Sequence, residues 1–267
     1  MTPWITKPVP FNIGQGAAGA GTTPFDDTGL KCYWKFSASS SPILNSSESD
    51  DSVGDTSSTG RGAMTGGSFE QGGTPIGESV LFDGSSDFMT VGSSTSLWNF
   101  WHNSDALWTW AFWMKGVSLD WDAYFFADGD GSENQALRVR FEGQTTYSGL
   151  NFVLRSDGNS IINASLASND YVPDVSSWYF YCISYDMSLG SDNLVARRDN
   201  NNEETLSKSA ASTADANADY SPIMAKKTSA SDNYGNFLIS EFSCWNKVMS
   251  DDDQASLYND GDGLEIY

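Results

Sequence analysis

The segment over residues 237–261 constrains the fold more than any other part of the chain, because it predicts a strand, a turn and one short capped helix. Strict alternation along the strand predicts two faces. One face carries Ile239, Glu241, Ser243 and Trp245, and the other carries Leu238, Ser240, Phe242 and Cys244. A single helix in a strand-rich chain points to a fold class, while it says little about function.

The end signals of this helix are unusually clear. Ser250 is placed to cap the N-terminus, and Asp253, three residues on, is its reciprocal partner. The acids at 251–253 bring negative charge to the positive end of the helix dipole. Gly261 supplies a residue suited to the left-handed conformation that ends many helices.

The rest of the body predicts short strands separated by turn residues. The predicted strands cover residues 30–36, 79–84, 87–91, 107–115, 136–141, 151–155, 160–166, 178–186 and 193–199. The polar stretch over residues 37–73 is expected to form surface loops. Many short strands with almost no helix indicate a β-sandwich or a barrel.

In their order and spacing, these motifs resemble the laminin G-like, concanavalin A-like jelly-roll superfamily. The matching segments are residues 30–36, 79–91, 110–115, 177–186 and 239–261, so the resemblance spans roughly residues 27–262. It implies an all-β, antiparallel two-sheet jelly-roll sandwich with one short C-terminal helix. It also implies that the first strand lies beside the last, and that a ligand site lies on rim loops or on the concave face.

A different composition marks residues 1–25, where prolines and glycines alternate without helical or strand periodicity. Such a segment predicts an extended N-terminal arm, followed by a laminin G-like domain over residues 26–267. The arm carries apolar residues suited to docking on a partner, namely Trp4, Ile5, Val9, Phe11 and Ile13. An unstructured leader is the alternative.

Charge and segment composition narrow the class of partner. The net charge is −21, from 35 acidic and 14 basic residues, which argues against binding to a nucleic-acid backbone. No apolar run reaches membrane-spanning length, so no membrane partner is expected. The first residues lack the basic and apolar regions of a secretory signal. The sequence therefore predicts a protein that is made and used without export by the general pathway.

The three cysteines, Cys32, Cys182 and Cys244, lie in aromatic, strand-like contexts. Buried reduced thiols are the favoured interpretation, and one disulfide plus a spare thiol is the alternative. Cys32 and Cys244 form the pair to test, because the first and last strands of such folds often meet.

Catalysis has little support in the sequence, so we expect a non-enzymatic protein. His102 is the only histidine, which excludes a multi-histidine zinc site, and its aromatic segment is expected to lie at the surface. Glycosidases need two closely placed carboxylates, but Glu241 has no acidic residue two or four positions away along its strand. A glycoside hydrolase remains a remote alternative.

Three groups of residues are candidates for ligand contacts. The aromatic residues Trp98, Trp101 and Trp121 fall between predicted strands, where they either stack on a sugar or pack under a loop. Oxygen ligands for Ca²⁺ are spaced along a glycine-containing loop, at Asp128, Asp130, Ser132 and Asn134, although a solvated turn explains the same pattern. Arginines line strand faces opposite the apolar ones, to pair with acids or meet an anionic ligand, at Arg138, Arg140 and Arg155.

Two function hypotheses follow from these features. The first is a structural or adhesion protein of a tailed-phage virion, either a capsid decoration or a tail-fibre-like component. It would assemble in the host cytoplasm and attach through its arm to other virion proteins or to its own copies. A homo-oligomer and a host-surface glycan partner belong to this hypothesis. The alternative is a soluble, lectin-like carbohydrate-binding module, calcium-dependent and extracellular.

Overall fold

The computed structural model describes residues 28–36, 62–66, 68–71, 77–91, 95–117, 122–129, 135–144, 147–166, 171, 173, 175–210, 220–226, 234–264 and 266. The strands are β1 (Leu30–Trp34), β2 (Gly62–Thr65), β3 (Ser68–Gln71), β4 (Glu78–Asp83), β5 (Phe88–Val91), β6 (Leu107–Gly116), β7 (Asp122–Ala127), β8 (Ala136–Gln144), β9 (Tyr147–Ser156), β10 (Asn159–Leu166), β11 (Tyr179–Asp186), β12 (Leu194–Arg198), β13 (Asn201–Leu206), β14 (Ile223–Met224) and β15 (Asn236–Trp245). The helical segments are a 3₁₀ helix (Ser96–Trp101), α1 (Asp251–Tyr258) and a 3₁₀ turn (Asn259–Gly261).

These strands form two antiparallel sheets. The first sheet has eight strands in the order β13-β12-β11-β6-β15-β4-β3, with β1 also paired to β15. The second sheet has seven strands in the order β10-β9-β8-β7-β14-β5-β2. The predicted all-β, two-sheet antiparallel fold with one short C-terminal helix is confirmed. The predicted contact between the first and last strands is also present, with Cys32 opposite Cys244.

Aromatic side chains from both sheets fill the space between them. Phe126 of the second sheet stacks on Phe242 of the first, with ring centroids 5.6 Å apart and planes 9° from parallel. Trp110 packs against the same Phe126 ring at 5.1 Å. Each such ring removes a large apolar area from water, and the ring contacts fix how the two sheets face each other.

A β-bulge divides β15 into two halves with opposite alternation. The register shifts between Ser240 and Ser243 opposite β6, and Glu241 adopts a positive φ of 53°. Ile239 therefore faces the core between the sheets, whereas Trp245 faces the outer side of the first sheet. The predicted alternation, which put both residues on one face, is wrong because the extra residue of a bulge reverses the sides beyond it.

A second, smaller apolar cluster covers the outer face of the first sheet. It contains Leu30, Tyr33, Ala111, Trp113, Phe180, Cys182, Trp245, Met249 and Leu257, with Tyr258, Leu264 and Ile266 packed against it. Helix α1 and the residues after it supply the cover. The predicted cap is present, since the Ser250 Oγ accepts the Asp253 N–H at 3.2 Å. The left-handed stop comes two residues earlier than predicted, at Asn259, whose φ is 47°.

The prediction for residues 37–73 needs correction, whereas the prediction for residues 1–25 concerns residues outside the described ranges. The stretch over residues 37–73 contributes β2 and β3 to the two sheets, so it is not made of loops alone. Residues 1–25, including every predicted docking residue of the arm, lie outside the described residues. Among the helices in the described part of the chain, none is long and apolar enough to cross a membrane.

Candidate functional site

The two predicted sugar-stacking tryptophans that the structure describes belong to the core. Trp98 and Trp101 lie on the 3₁₀ helix, and both side chains are fully buried. Trp101 packs edge-on against Trp110 at 5.4 Å, and its indole N–H donates to the Cys244 Sγ at 3.5 Å. These rings cannot stack on a sugar from solvent, because the surrounding core covers them. The third candidate, Trp121, lies outside the described residues.

His102 and Asp128 meet in the interior. Both side chains are fully buried, with 3.5 Å between the His102 Nε2 and the Asp128 Oδ2, so the expected surface position of His102 is wrong. Its segment turns inward because the neighbouring tryptophans pack into the core. The Asp128 Oδ1 accepts the Leu137 N–H at 2.5 Å, which ties the end of β7 to β8.

The described geometry does not test the predicted calcium binding. Asp128 directs its carboxylate to Leu137 and His102, while Asp130, Ser132 and Asn134 lie outside the described residues. Among the residues with a described position, no group of three or more His, Cys, Asp or Glu side chains is suited to hold a metal ion. Calcium binding therefore stays a prediction.

The outer face of the second sheet is the candidate site, and we call it the polar face. Alternation along β8 and β9 points Leu137, Val139, Phe152 and Leu154 into the core, so their neighbours point outward. The polar face comprises the outward residues of five strands, namely Phe88, Thr90, Tyr124, Arg138, Arg140, Asn151, Val153, Arg155, Asn163 and Ser165. Among the described residues of the first sheet, the second apolar cluster covers the outer side of the middle strands.

A hydrogen-bonded chain crosses four adjacent strands of the polar face. The Arg138 guanidinium donates to the Asn151 Oδ1 at 3.2 Å and to the Tyr124 hydroxyl at 3.5 Å. The Asn151 Nδ2 donates in turn to the Ser165 Oγ at 3.0 Å. Arg138 also lies over the Tyr124 ring, with 5.7 Å from its guanidinium carbon to the ring centroid. The chain holds polar groups of β7, β8, β9 and β10 in fixed orientations.

An aromatic cluster lies toward the other end of the same face. The Lys226 ammonium lies 4.3 Å from the Phe88 ring centroid and 5.5 Å from that of Tyr234. Both rings are half-buried, so part of each remains accessible to solvent. Three strand spacings separate β5, which carries Phe88, from β8, which carries Arg138, so the two groups are about 14 Å apart across the sheet. The polar face thus combines accessible ring surface with oriented hydrogen-bonding groups.

Arg197 anchors a second polar groove, next to α1. Its guanidinium contacts Glu203 and Asp251 at 2.5 Å each, and it donates to the Gln254 Oε1 at 3.1 Å. Burial lowers the pKa of this guanidinium, but the hydrogen bonds and charges of Asp251 and Glu203 outweigh it and raise the pKa. These contacts tie the helix to the β12–β13 hairpin, so we assign the groove a stabilising role.

Sequence reasoning found part of the polar face. It placed Arg138, Arg140 and Arg155 opposite the apolar faces, which the structure bears out for β8 and β9. It missed Tyr124 and Asn151, because β7 was not predicted as a strand and a lone asparagine in a strand carries no signal. The alternation of Asn151 with Leu150 and Phe152 was the available clue.

Comparison with known proteins gives similarity of fold. No family model matches the chain, and no curated protein matches it in sequence. Domain 4 of AbnA, a GH43 extracellular arabinanase from Geobacillus stearothermophilus solved in complex with arabinotriose, is 13% identical. That match covers 88% of this chain and 98% of the arabinanase domain, with a TM-score of 0.57.

Toxin domains share the same architecture. The receptor-binding domain of botulinum neurotoxin type G is 12% identical, over 87% of this chain and 51% of the toxin chain, with a TM-score of 0.52. The binding domain of serotype D/C is 13% identical, over 87% and 52%, with a TM-score of 0.51. The match spans about half of each toxin chain. At these identities the similarity shows a shared fold, the two-sheet antiparallel β-sandwich.

Proposed function

We propose that the protein is a non-catalytic glycan-binding module and that the polar face is its binding surface. The observation that carries the proposal is the hydrogen-bonded chain from Tyr124 through Arg138 and Asn151 to Ser165. Sugar hydroxyls need donors and acceptors held in fixed directions, and in this chain the buried Tyr124 and Asn151 orient the half-buried Arg138 and Ser165. The arabinanase domain, which was solved with arabinotriose, supports the proposal by analogy of fold.

The two ends of the polar face would act together on an oligosaccharide. Partly accessible rings at Phe88 and Tyr234 offer an apolar surface to the faces of sugar rings. Arg138, Arg140 and Ser165, whose side chains are half-buried, would bind hydroxyl groups farther along the same ligand, and the buried Asn151 would hold Arg138 and Ser165 in place. The separation of about 14 Å between the two ends suits a short oligosaccharide better than a single sugar.

Binding of arabinotriose and of a panel of neutral and acidic oligosaccharides to the full chain, measured by calorimetry, tests the proposal. Asn151→Ala removes the bonds to Arg138 and Ser165, so we expect affinity to fall about tenfold or more. Asn201→Ala, on an exposed strand of the first sheet, is the matched control and should bind as the wild type does. Circular dichroism checks that both variants are folded at the assay temperature.

Two results would contradict the proposal. One is a wild-type chain that binds no oligosaccharide of the panel. The other is an Asn151→Ala variant that remains folded and binds as tightly as Asn201→Ala does. Either result would remove the polar face as a glycan site.

Where this module acts is a separate question. We keep attachment to a virion as a second candidate. Its support is the set of apolar residues in the N-terminal segment, from Trp4 to Ile13. The similar structures named above are an arabinanase domain and toxin domains, so they lend no support to a phage particle. If a protein without residues 1–25 still assembles on particles, docking through the arm fails. If the full chain does not assemble on particles either, the extracellular alternative is preferred.

A further inference from the structure

Cys32 of β1 and Cys244 of β15 face each other across the pairing of the first and last strands. Both are fully buried in the core between the sheets, so their side chains project from the same side of the strand pair. The Cys244 side chain also lies near enough to Cys32 to help raise the pKa of its thiol. Directly opposed residues of antiparallel strands have Cα atoms about 4.5–5.5 Å apart, which lies within the range that a disulfide spans.

We propose that Cys32 and Cys244 are a disulfide-forming pair that links β1 to β15 when the chain meets a disulfide oxidant such as oxidised glutathione. The thiolate of one cysteine attacks the glutathione disulfide, forms a mixed disulfide and releases one glutathione. The thiolate of the second cysteine then displaces the other glutathione. Two protein thiols lose two protons and two electrons, and the oxidant becomes two reduced glutathione molecules.

The structure also indicates when this reaction takes place. Burial raises the pKa of the Cys32 thiol, aided by the Cys244 side chain, so little thiolate exists in the folded chain. Strand β1 has five residues, and in the described part of the sheet it pairs with β15 alone. A short edge strand opens more easily than a central one. We therefore expect oxidation before β1 docks during folding, or during its transient opening.

Cys182 serves as an internal control for the pairing. It lies in the cluster on the outer face of the first sheet, whereas Cys32 and Cys244 lie in the core between the sheets. Burial raises the pKa of the Cys182 thiol to about 12. Because the sheet separates it from the other two, its thiol is expected to stay reduced under the same conditions.

Refolding of the full chain in a glutathione redox buffer tests the proposal. Non-reducing peptide mapping should find one linked pair that contains Cys32 and Cys244, with Cys182 free to react with iodoacetamide. The oxidised protein should unfold about 5–10 °C above the reduced one, because the bond restricts the unfolded chain. Cys182→Ala should keep this shift, and Cys32→Ala should lose it.

Peptide mapping of the wild type decides the matter even where a variant fails to fold. Recovery of all three cysteines as alkylated peptides after oxidative refolding would overturn the proposal. A crosslink that includes Cys182 would overturn it as well. Exposure of the folded protein to oxidised glutathione at low urea checks the route, and the crosslink should form faster as urea increases.

Discussion

The Tyr33 hydroxyl donates a hydrogen bond to the Glu241 carboxylate at the bulge of β15. The same hydroxyl accepts the N–H of Ile266 at 3.1 Å. One buried phenol therefore connects the first strand, the last strand and the segment that follows α1. Glu241 has a positive φ of 53°, which costs energy for a residue with a side chain. The hydrogen bond from Tyr33 helps to offset that cost.

Replacement of Tyr33 by Phe should destabilise the fold by about 1–3 kcal/mol, because a buried carboxylate loses a donor and the Ile266 N–H loses its acceptor. Urea unfolding followed by tryptophan fluorescence measures the change. Tyr185→Phe is the matched control, since the hydroxyl of that buried tyrosine donates to the weak acceptor Met187 Sδ. A smaller loss in Tyr33→Phe than in Tyr185→Phe would contradict the role given to the pair.

Loss of the helix cap should cost about 1 kcal/mol. Ser250→Ala removes the oxygen that accepts the Asp253 N–H, and α1 helps to cover the outer face of the first sheet. Ser256→Ala is the control, because that exposed serine bonds only within the helix, to the Asp252 carbonyl, and a change below about 0.5 kcal/mol is expected. Equal unfolding midpoints for the two variants would refute the cap.

Stability in acid should depend on Asp83, which organises the turn after β4. Partial burial raises its pKa, but hydrogen bonds from the Ser85 side chain and from the main-chain N–H groups of Ser86, Ser85 and Asp87 together lower it well below its ordinary 3.8. Because the folded-state pKa is depressed, the carboxylate stabilises the fold fully above pH 3.8. This contribution is lost as the pH falls through the folded-state pKa.

The test compares the wild type with Asp83→Asn in unfolding measurements from pH 7 to pH 2. The wild type should be the more stable protein at pH 7, and the difference should shrink below pH 4. Ser85→Ala, which removes one donor to Asp83, should show a smaller difference of the same sign. A difference that stays constant across this range would argue against the carboxylate.

Trp101→Phe should lower stability by about 1–3 kcal/mol and leave glycan affinity unchanged. The substitution shrinks a buried ring and removes the N–H that donates to the Cys244 Sγ. Thermal unfolding and calorimetry on the folded variant give the two quantities. Weaker glycan binding at wild-type stability would restore Trp101 as part of a stacking platform.

Calcium binding by the predicted ligands Asp128, Asp130, Ser132 and Asn134 can be tested in solution. If these residues bind Ca²⁺, millimolar calcium should raise the unfolding temperature over that in a chelator, because a ligand of the folded state alone stabilises it. Asp130→Asn should weaken the effect, since it removes one charged oxygen ligand. Identical unfolding curves with calcium and with chelator would contradict the predicted calcium binding.

The sequence predicted many strands of the two sheets, because hydrophobic alternation can be recognised within a single strand. The strand over residues 136–141 and the hairpin around Asp157-Gly158 have the predicted positions, and the first strand lies beside the last, as the family resemblance implied. Such features depend on local period and on the order of elements. The polar face could be assembled only once neighbouring strands were known, since Tyr124 and Ser165 are 41 positions apart in the chain.

Two of the incorrect predictions, on β15 and on the segment from Trp98 to His102, share one physical cause, which is that side-chain direction depends on distant packing. A bulge at Glu241 reverses the alternation of β15, and no local sequence pattern predicts this bulge. The segment around Trp98 looked like an exposed loop because it breaks strand periodicity. It folds instead into a 3₁₀ turn that inserts Trp98 and Trp101 into the core, and His102 follows them.

Strand β1 pairs with β15, and the Ile266 N–H reaches the Tyr33 hydroxyl, so the segment after α1 lies against the first strand. A linker from residue 266 to residue 28 would join these two segments, and the exposed loop over residues 188–192 could be cut to create new ends. Such a circular permutant would keep every strand pair of both sheets, with its new ends between β11 and β12.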